Sequence, residues 1–217
     1  GFDTKDFVNG PLGQYIDLFL PDWTEPNVLR PTESEFLGGV VGDGTSLDTP
    51  IADKVKAYLG QLGQKIYQKH QAGDGLRVVD LRDVFEGISS DVFYDYEQRI
   101  NDRTGQFFDY DALDLSPVLN QLRWPTHLAT LEELRLPHLE LWDDEEQNPT
   151  LGLIIDIINR APKLKVLSLP GGVPKALIET LEKKIMNSNF IYLGDEWLFE
   201  DRGLEGDGDF SLSDDEE

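Results

Sequence analysis

The sequence predicts an α/β chain in which short strands alternate with covering helices, and three observations carry that expectation. LEELRLPHLEL (131–141) places leucines at 131, 134, 136, 139 and 141. LKVLSL (164–169) repeats the first three of them, so that Leu164, Leu167 and Leu169 each fall 33 residues after Leu131, Leu134 and Leu136. Between the two lies LGLIIDIINRAP (151–162), an apolar segment of helical length that ends at a proline. Leucines at L-x-x-L-x-L put one side of a short strand into a core, and the helix that follows covers that core. One such unit cannot bury itself, so neighbouring units must stack. The alternative is an isolated strand or amphipathic helix in an ordinary α/β domain.

Along the chain, residues 1–50 are rich in Gly and Pro around the apolar clusters YIDLFL (15–20) and FLGGVV (36–41), which reads as short elements and turns. Ile51, Val55, Tyr58, Leu59, Leu62 and Ile66 then fall at helical spacing, predicting a helix over about 51–70 with Thr49 as N-cap and Pro50 at the first position. Gly60 and Gly63 each cost that helix about 1 kcal/mol. After the GDG stop (73–75), LRVVDL (76–81) reads as a strand and fits the same template through Leu76, Val79 and Leu81, as an upstream repeat. The following segment holds Phe93, Tyr94, Tyr96, Phe107, Phe108 and Tyr110, too many aromatics to leave in water, and is expected to pack onto the body. SPVLNQLRWP (116–125) predicts one or two helical turns, with Ser116 capping and Pro117 at the first position. VPKALIETLEKKI (173–185) gives a further helix with Leu177, Leu181 and Ile185 on one side. FIYL (190–193) supplies a strand 24 residues beyond the previous one when Leu167 and Leu169 are set against Ile191 and Leu193.

These residues resemble the leucine-rich repeat proteins, of the longer-repeat type in which each strand is followed by an α-helix. LEELRLPHLEL, APKLKVLSL and the helices at about 151–160 and 174–186 carry the resemblance, over roughly residues 116–194. The asparagine that usually closes the strand turn is absent, with Pro137-His138 in one copy and Pro170-Gly171 in the other, and the repeat lengths are irregular. The resemblance implies a short, irregular solenoid whose residues between the buried leucines face outward along a concave sheet. Glu133, Arg135 and Pro137, then Val166, Ser168 and Pro170, then Phe190, Tyr192 and Gly194 are the ligand-facing positions it implies.

Formal net charge is −23, from 42 acids against 19 bases. Such a surface repels phosphate backbones, which argues against direct nucleic-acid binding and for a basic protein partner. Asp195–Glu217 holds eleven acids and one arginine, so about −13 remains on the rest of the chain. With no cysteine, disulfide frameworks, thiol nucleophiles and thiolate metal sites are all excluded. Neither a secretory leader nor an apolar run of about 18 residues is read, and Pro149 blocks the one Asn-x-Thr at Asn148. A cytoplasmic or nuclear setting away from membranes is expected.

WDDEEQNP (142–149) is an acidic loop with a tryptophan, and Trp142, Asp143 and Asp144 are candidate contacts for a basic peptide, although such a run is more often only a solvated loop. His70, His127 and His138 lie far apart, with no metal-ligand spacing. GGVVGDG (38–44) lacks the Gly-Lys-Ser/Thr of a P-loop. Asp207, Asp209 and Ser211 hint at a calcium loop, but the central glycine and the twelfth-position glutamate are missing. Ser211 and Ser213 precede acids, the context acidophilic kinases prefer.

The sequence therefore predicts an N-terminal extension with a long helix (1–75), a leucine-rich-repeat-like domain (76–194) and an acidic tail (195–217). The expected function is non-catalytic protein binding, without metal or cofactor, through Glu133, Arg135, Trp142, Asp143, Asp144, Ser168 and Tyr192. Two alternatives are an acidic inhibitor that blocks a toxin or nuclease, and an enzyme with its site in the N-terminal half. The enzyme would need a pocket holding His70 with an Asp or Glu partner.

Overall fold

Five short strands form one open sheet in the computed structural model, which describes residues 25–42, 47–109, 113–139, 149–170, 174–187 and 190–193. They are β1 (Val28–Leu29), β2 (Val78–Asp80), β3 (Glu133–Arg135), β4 (Val166–Ser168) and β5 (Ile191–Leu193). Their order across the sheet is their order in the chain, and every neighbouring pair is parallel. Eight helices are described: α1 (Glu33–Val41), α2 (Ile51–Gln71), α3 (Arg82–Ile88), α4 (Asp91–Thr104), α5 (Ser116–Leu122), α6 (Pro125–Leu128), α7 (Pro149–Arg160) and α8 (Lys175–Asn187).

Register follows the leucine template. Leu29, Val79, Leu134 and Leu167 stand side by side on successive strands, each fully buried. Leu76, Leu131 and Leu164 precede them and Leu81, Leu136 and Leu169 follow, all in the same core. Backbone bonds carry the pairing past the strand ends. Glu132 N donates to Arg77 O, Lys165 N to Glu132 O and Ile191 N to Lys165 O. On the other side Leu81 N donates to Arg135 O and Leu136 N to Ser168 O. The 33-residue spacing of Leu134 and Leu167 is thus a cross-strand pair.

The helices explain themselves locally. Thr32 Oγ1 accepts from Glu35 N and Glu35 Oε2 from Thr32 N, both at 3.1 Å, a capping box that starts α1 and turns FLGGVV into helix. α2 begins with Pro50 as N-cap and no side-chain cap, so Thr49 does not play the role expected of it; Pro50 O accepts from Asp53 N and Lys54 N. Gly63 is a close approach: a Cβ there would run into the Pro117 carbonyl of α5, which packs against α2. Ser116 is the first helical residue of α5, not its cap, which is Leu115; Asp114 Oδ1 accepts the Ser116 N–H at 2.8 Å. Ser90 caps α4 through Phe93 N, and Gly105 at φ 71° ends it.

The aromatic segment divides at helical spacing. Phe93 and Tyr96 of α4 and then Phe108 are buried, with Phe93 stacked on Phe36 at 6.2 Å, whereas Tyr94 is 55% and Phe107 60% exposed. Farther on, α5, α7 and α8 pack in succession beyond α2. Leu177 and Leu181 of α8 are fully buried, but Ile185, in the last turn, is partly exposed.

β1 is an element the sequence reading did not separate from turns. Pro26 and Pro31 bracket it, and proline cannot donate to a ladder, so only an edge strand of two residues fits there. It lies within residues 1–75, so the sheet and its core, which runs unbroken from Leu29 to Phe190, extend into that segment.

Candidate functional site on the strand face

Alternation along each strand sends the neighbours of Val79, Leu134 and Leu167 to the opposite face. There Asp80, Arg135 and Ser168 stand in register, with Val78, Glu133 and Val166 as the preceding row. Asp80 is 4% exposed and gathers two arginines. Arg82 binds it with two prongs, Nε to Oδ1 at 3.0 Å and Nη2 to Oδ2 at 2.8 Å, and Arg30 Nε lies 3.6 Å from Oδ2. Burial by itself would raise the Asp80 pKa. The side-chain and backbone hydrogen bonds from Arg82, with the charges of Arg82 and Arg30, outweigh that and hold the carboxyl below its ordinary range.

One strand over, Arg135 is turned back on Glu133, with Nε and Nη2 at 3.3 and 3.2 Å from Oε2. A third group closes the entry side of the strands: Glu132 lies 2.7 Å from Lys165 Nζ and 3.9 Å from Arg77 Nη1. The Lys165 hydrogen bond, reinforced by the charges of Lys165, Arg77 and Lys163, holds the Glu132 pKa down against the opposing effect of burial. The face is a lattice of Arg–carboxylate pairs, in which Arg30 and Arg82 meet at the buried Asp80 and Arg135 is held by Glu133.

Removing the centre of this lattice tests it. Asp80→Asn should cost roughly 2 kcal/mol of unfolding free energy at neutral pH, the scale of hydrogen bonds to a charged group. Because the folded pKa is depressed, this contribution is present above the unfolded value of 3.8 and fades as pH falls through the lower folded value. Denaturant titrations of both proteins should therefore converge on acidification; an unchanged gap at low pH would refute the role of the Asp80 charge.

Of the residues singled out in the sequence, Glu133 and Arg135 take the expected face, half-buried and paired with each other. Ser168 also points that way but is 8% exposed, too enclosed to serve as an accessible contact. Tyr192 is a correction. It pairs with Leu167, one residue later than the 24-residue spacing implied, so it packs on the core side, and its hydroxyl donates to Leu169 O at 3.2 Å. Ile191, 54% exposed, takes the outer position opposite Val166. Trp142, Asp143, Asp144, Ser211 and Ser213, with Tyr110 and the YIDLFL cluster, lie outside the described residues. Arg30, Asp80 and Arg82 were missed, although the template laid on Leu76, Val79 and Leu81 already gave Asp80 the parity of Arg135.

The histidines converge more than their spacing implied. His127 is fully buried, its Nδ1 accepts from Leu76 N at 3.1 Å, and its Nε2 lies 2.8 Å from Ile66 O. An acceptor on one side and a carbonyl on the other place the proton on Nε2 and keep the ring neutral. Burial lowers its pKa, over the opposing pull of the Ile66 carbonyl, and nearby His70 adds to the lowering. His70 stacks on Trp124 with centroids 4.4 Å apart and bonds Thr126 Oγ1 at 2.8 Å. These contacts pin α2 to α6, and among the described residues His70 meets the Thr126 hydroxyl and the rings of Tyr67, Trp124 and His127.

No helix among the described residues is long and apolar enough to cross a membrane. Compared with known proteins, the chain matches no family model, no curated protein and no solved structure.

Proposed function

We propose that the chain is a non-catalytic protein-binding domain, built as a short, irregular leucine-rich-repeat-like solenoid, whose partner carries a basic surface. Support for the architecture is the unbroken parallel strand order with leucine-template residues in register and the helices packing in succession. The observation that carries the partner's charge concerns the arginines. Of the eight described, Arg30, Arg77, Arg82, Arg103, Arg123, Arg135 and Arg160 each lie against a carboxylate of the chain itself. The eighth, Arg99, lies 5.7 Å from the Tyr96 ring. With the guanidinium groups committed internally, the excess of 42 acids over 19 bases is what a partner meets. The same surplus disfavours nucleic acid.

A pull-down from native extract, using the full chain and a chain ending at Leu193, tests this reading. A basic protein retained by both and released by salt is the expected result. Retention by the full chain alone would move the binding element to the acidic tail, where phosphorylation of Ser211 and Ser213 would add charge. Retention of only acidic or neutral proteins, unaffected by salt, would overturn it.

A further inference from the structure

Beside the start of α2 the surface opens into a groove of about 310 Å³, bounded across from the helix by residues 107–109 and 113–114. Its floor is apolar, formed by Val55 and Leu59 of α2 with Phe108 and Leu113 opposite. Its rim is not: Asp53, Asp109 and Asp114 surround it against Lys56, the one cation among the described lining residues. Phe107 stands at the edge with its ring in water, and it is held there. Phe108 N donates to the buried Glu97 carboxylate and the Phe108 ring packs edge-on against Phe93 at 5.6 Å, which leaves the adjacent Phe107 pointing out. Phe107 is 60% exposed at the edge of an apolar floor, and aromatic residues beside such a pocket are the usual anchors of protein interfaces.

We propose that this groove is where the basic partner docks, taking a peptide segment that places one apolar side chain between lysines or arginines. The inference rests on the protein-binding reading above and names its site and the chemistry of its occupant. The volume is at the small end of ligand sites and admits one or two apolar side chains. The surplus of aspartates, within the field of a chain of net charge −23, favours cations flanking that anchor. Asp109 and Asp114 are exposed, so their charge reaches an incoming peptide without a large desolvation cost.

The test uses the full chain and fluorescein-labelled synthetic peptides read by anisotropy. The probe is Lys-Lys-Leu-Phe-Lys-Lys, compared with versions in which glutamine replaces the lysines or serine replaces the Leu-Phe anchor. The parent peptide should bind, and both replacements should weaken it. Phe107→Ala should weaken it about tenfold, and so should the double variant Asp53→Asn with Asp114→Asn. The charge-matched double variant Glu86→Gln with Glu179→Gln, both exposed and away from the groove lining, should bind like the original protein. Equal losses in the two double variants, with no effect of Phe107→Ala, would mean that lysine peptides settle anywhere on an acidic surface. That would sink the groove while leaving salt-sensitive retention in the pull-down standing. A glutamine peptide binding as tightly as the lysine peptide would make the groove an apolar-ligand site and overturn the charge assignment. Self-association of the chain that Phe107→Ala abolishes in sedimentation would make a second copy the occupant and overturn the proposal, as would failure of the wild-type chain to bind any of the peptides.

Discussion

Leu134→Ala should lower the free energy of unfolding by about 3 kcal/mol, while Glu133→Ala, one residue earlier on the same strand, should change it by less than about 1 kcal/mol. Leu134 is fully buried in the middle strand of the sheet, between Val79 and Leu167, so truncation leaves a cavity bounded by strands that cannot close in without breaking two ladders. Glu133 lies on the other face, half-exposed, and its contact is with Arg135. Thermal unfolding of a chain this size moves roughly 2–4 °C per kcal/mol, so the leucine variant should melt about 6–12 °C lower and the glutamate variant within a few degrees of the parent. Equal effects of the two would contradict the period of two that places every residue of the strand face.

The same period explains what could and could not be read from sequence. L-x-x-L-x-L marks its strands because both the spacing and the residue type are enforced by burial, and Leu131, Leu134 and Leu136 recur as Leu164, Leu167 and Leu169 in true register. α2 was legible for the same reason, since Ile51, Val55, Tyr58, Leu62 and Ile66 all face one core. Register across a gap filled by a helix was not legible to one residue. Both Ile191 and Tyr192 are apolar enough for either face, and only the pairing with Leu167 decides between them. β1 hid behind two prolines because an edge strand needs few donors and leaves almost no pattern. The strand-face arginines were half visible. Parity gives Asp80 its direction, but that Arg30 and Arg82 both come to it depends on how β1 and the turn into α3 are placed, which no local spacing encodes. His70 and His127 are 57 residues apart in sequence yet their rings are 6.3 Å apart, an encounter fixed by α2 packing against the α5–α6 region.

Lys54→Met should stabilise the protein at pH 7, and the advantage should shrink as pH rises. Lys54 sits on α2 with 1% of its surface exposed, its Nζ donating to Tyr96 Oη at 2.8 Å and lying 4.7 Å from the centre of that ring. A hydroxyl and a π face compensate only part of the hydration an ammonium group loses, and burial pushes the Lys54 pKa from 10.5 down to about 8. For a base whose pKa is lower folded than unfolded, the unfolded chain binds more protons between those two values. Stability therefore rises with pH through that window, and below it the buried charge works against the fold throughout. The size of the effect at neutral pH is on the order of 2 kcal/mol. Methionine has nearly the same length and no charge, so the variant should unfold at higher denaturant at pH 7, and the two curves should draw together towards pH 10. Ionisation of the other groups is common to both proteins and cancels in the difference. A constant gap across that range would show that Lys54 keeps its proton when folded, and a destabilised variant at pH 7 would show that its bond to Tyr96 outweighs the cost of burying it.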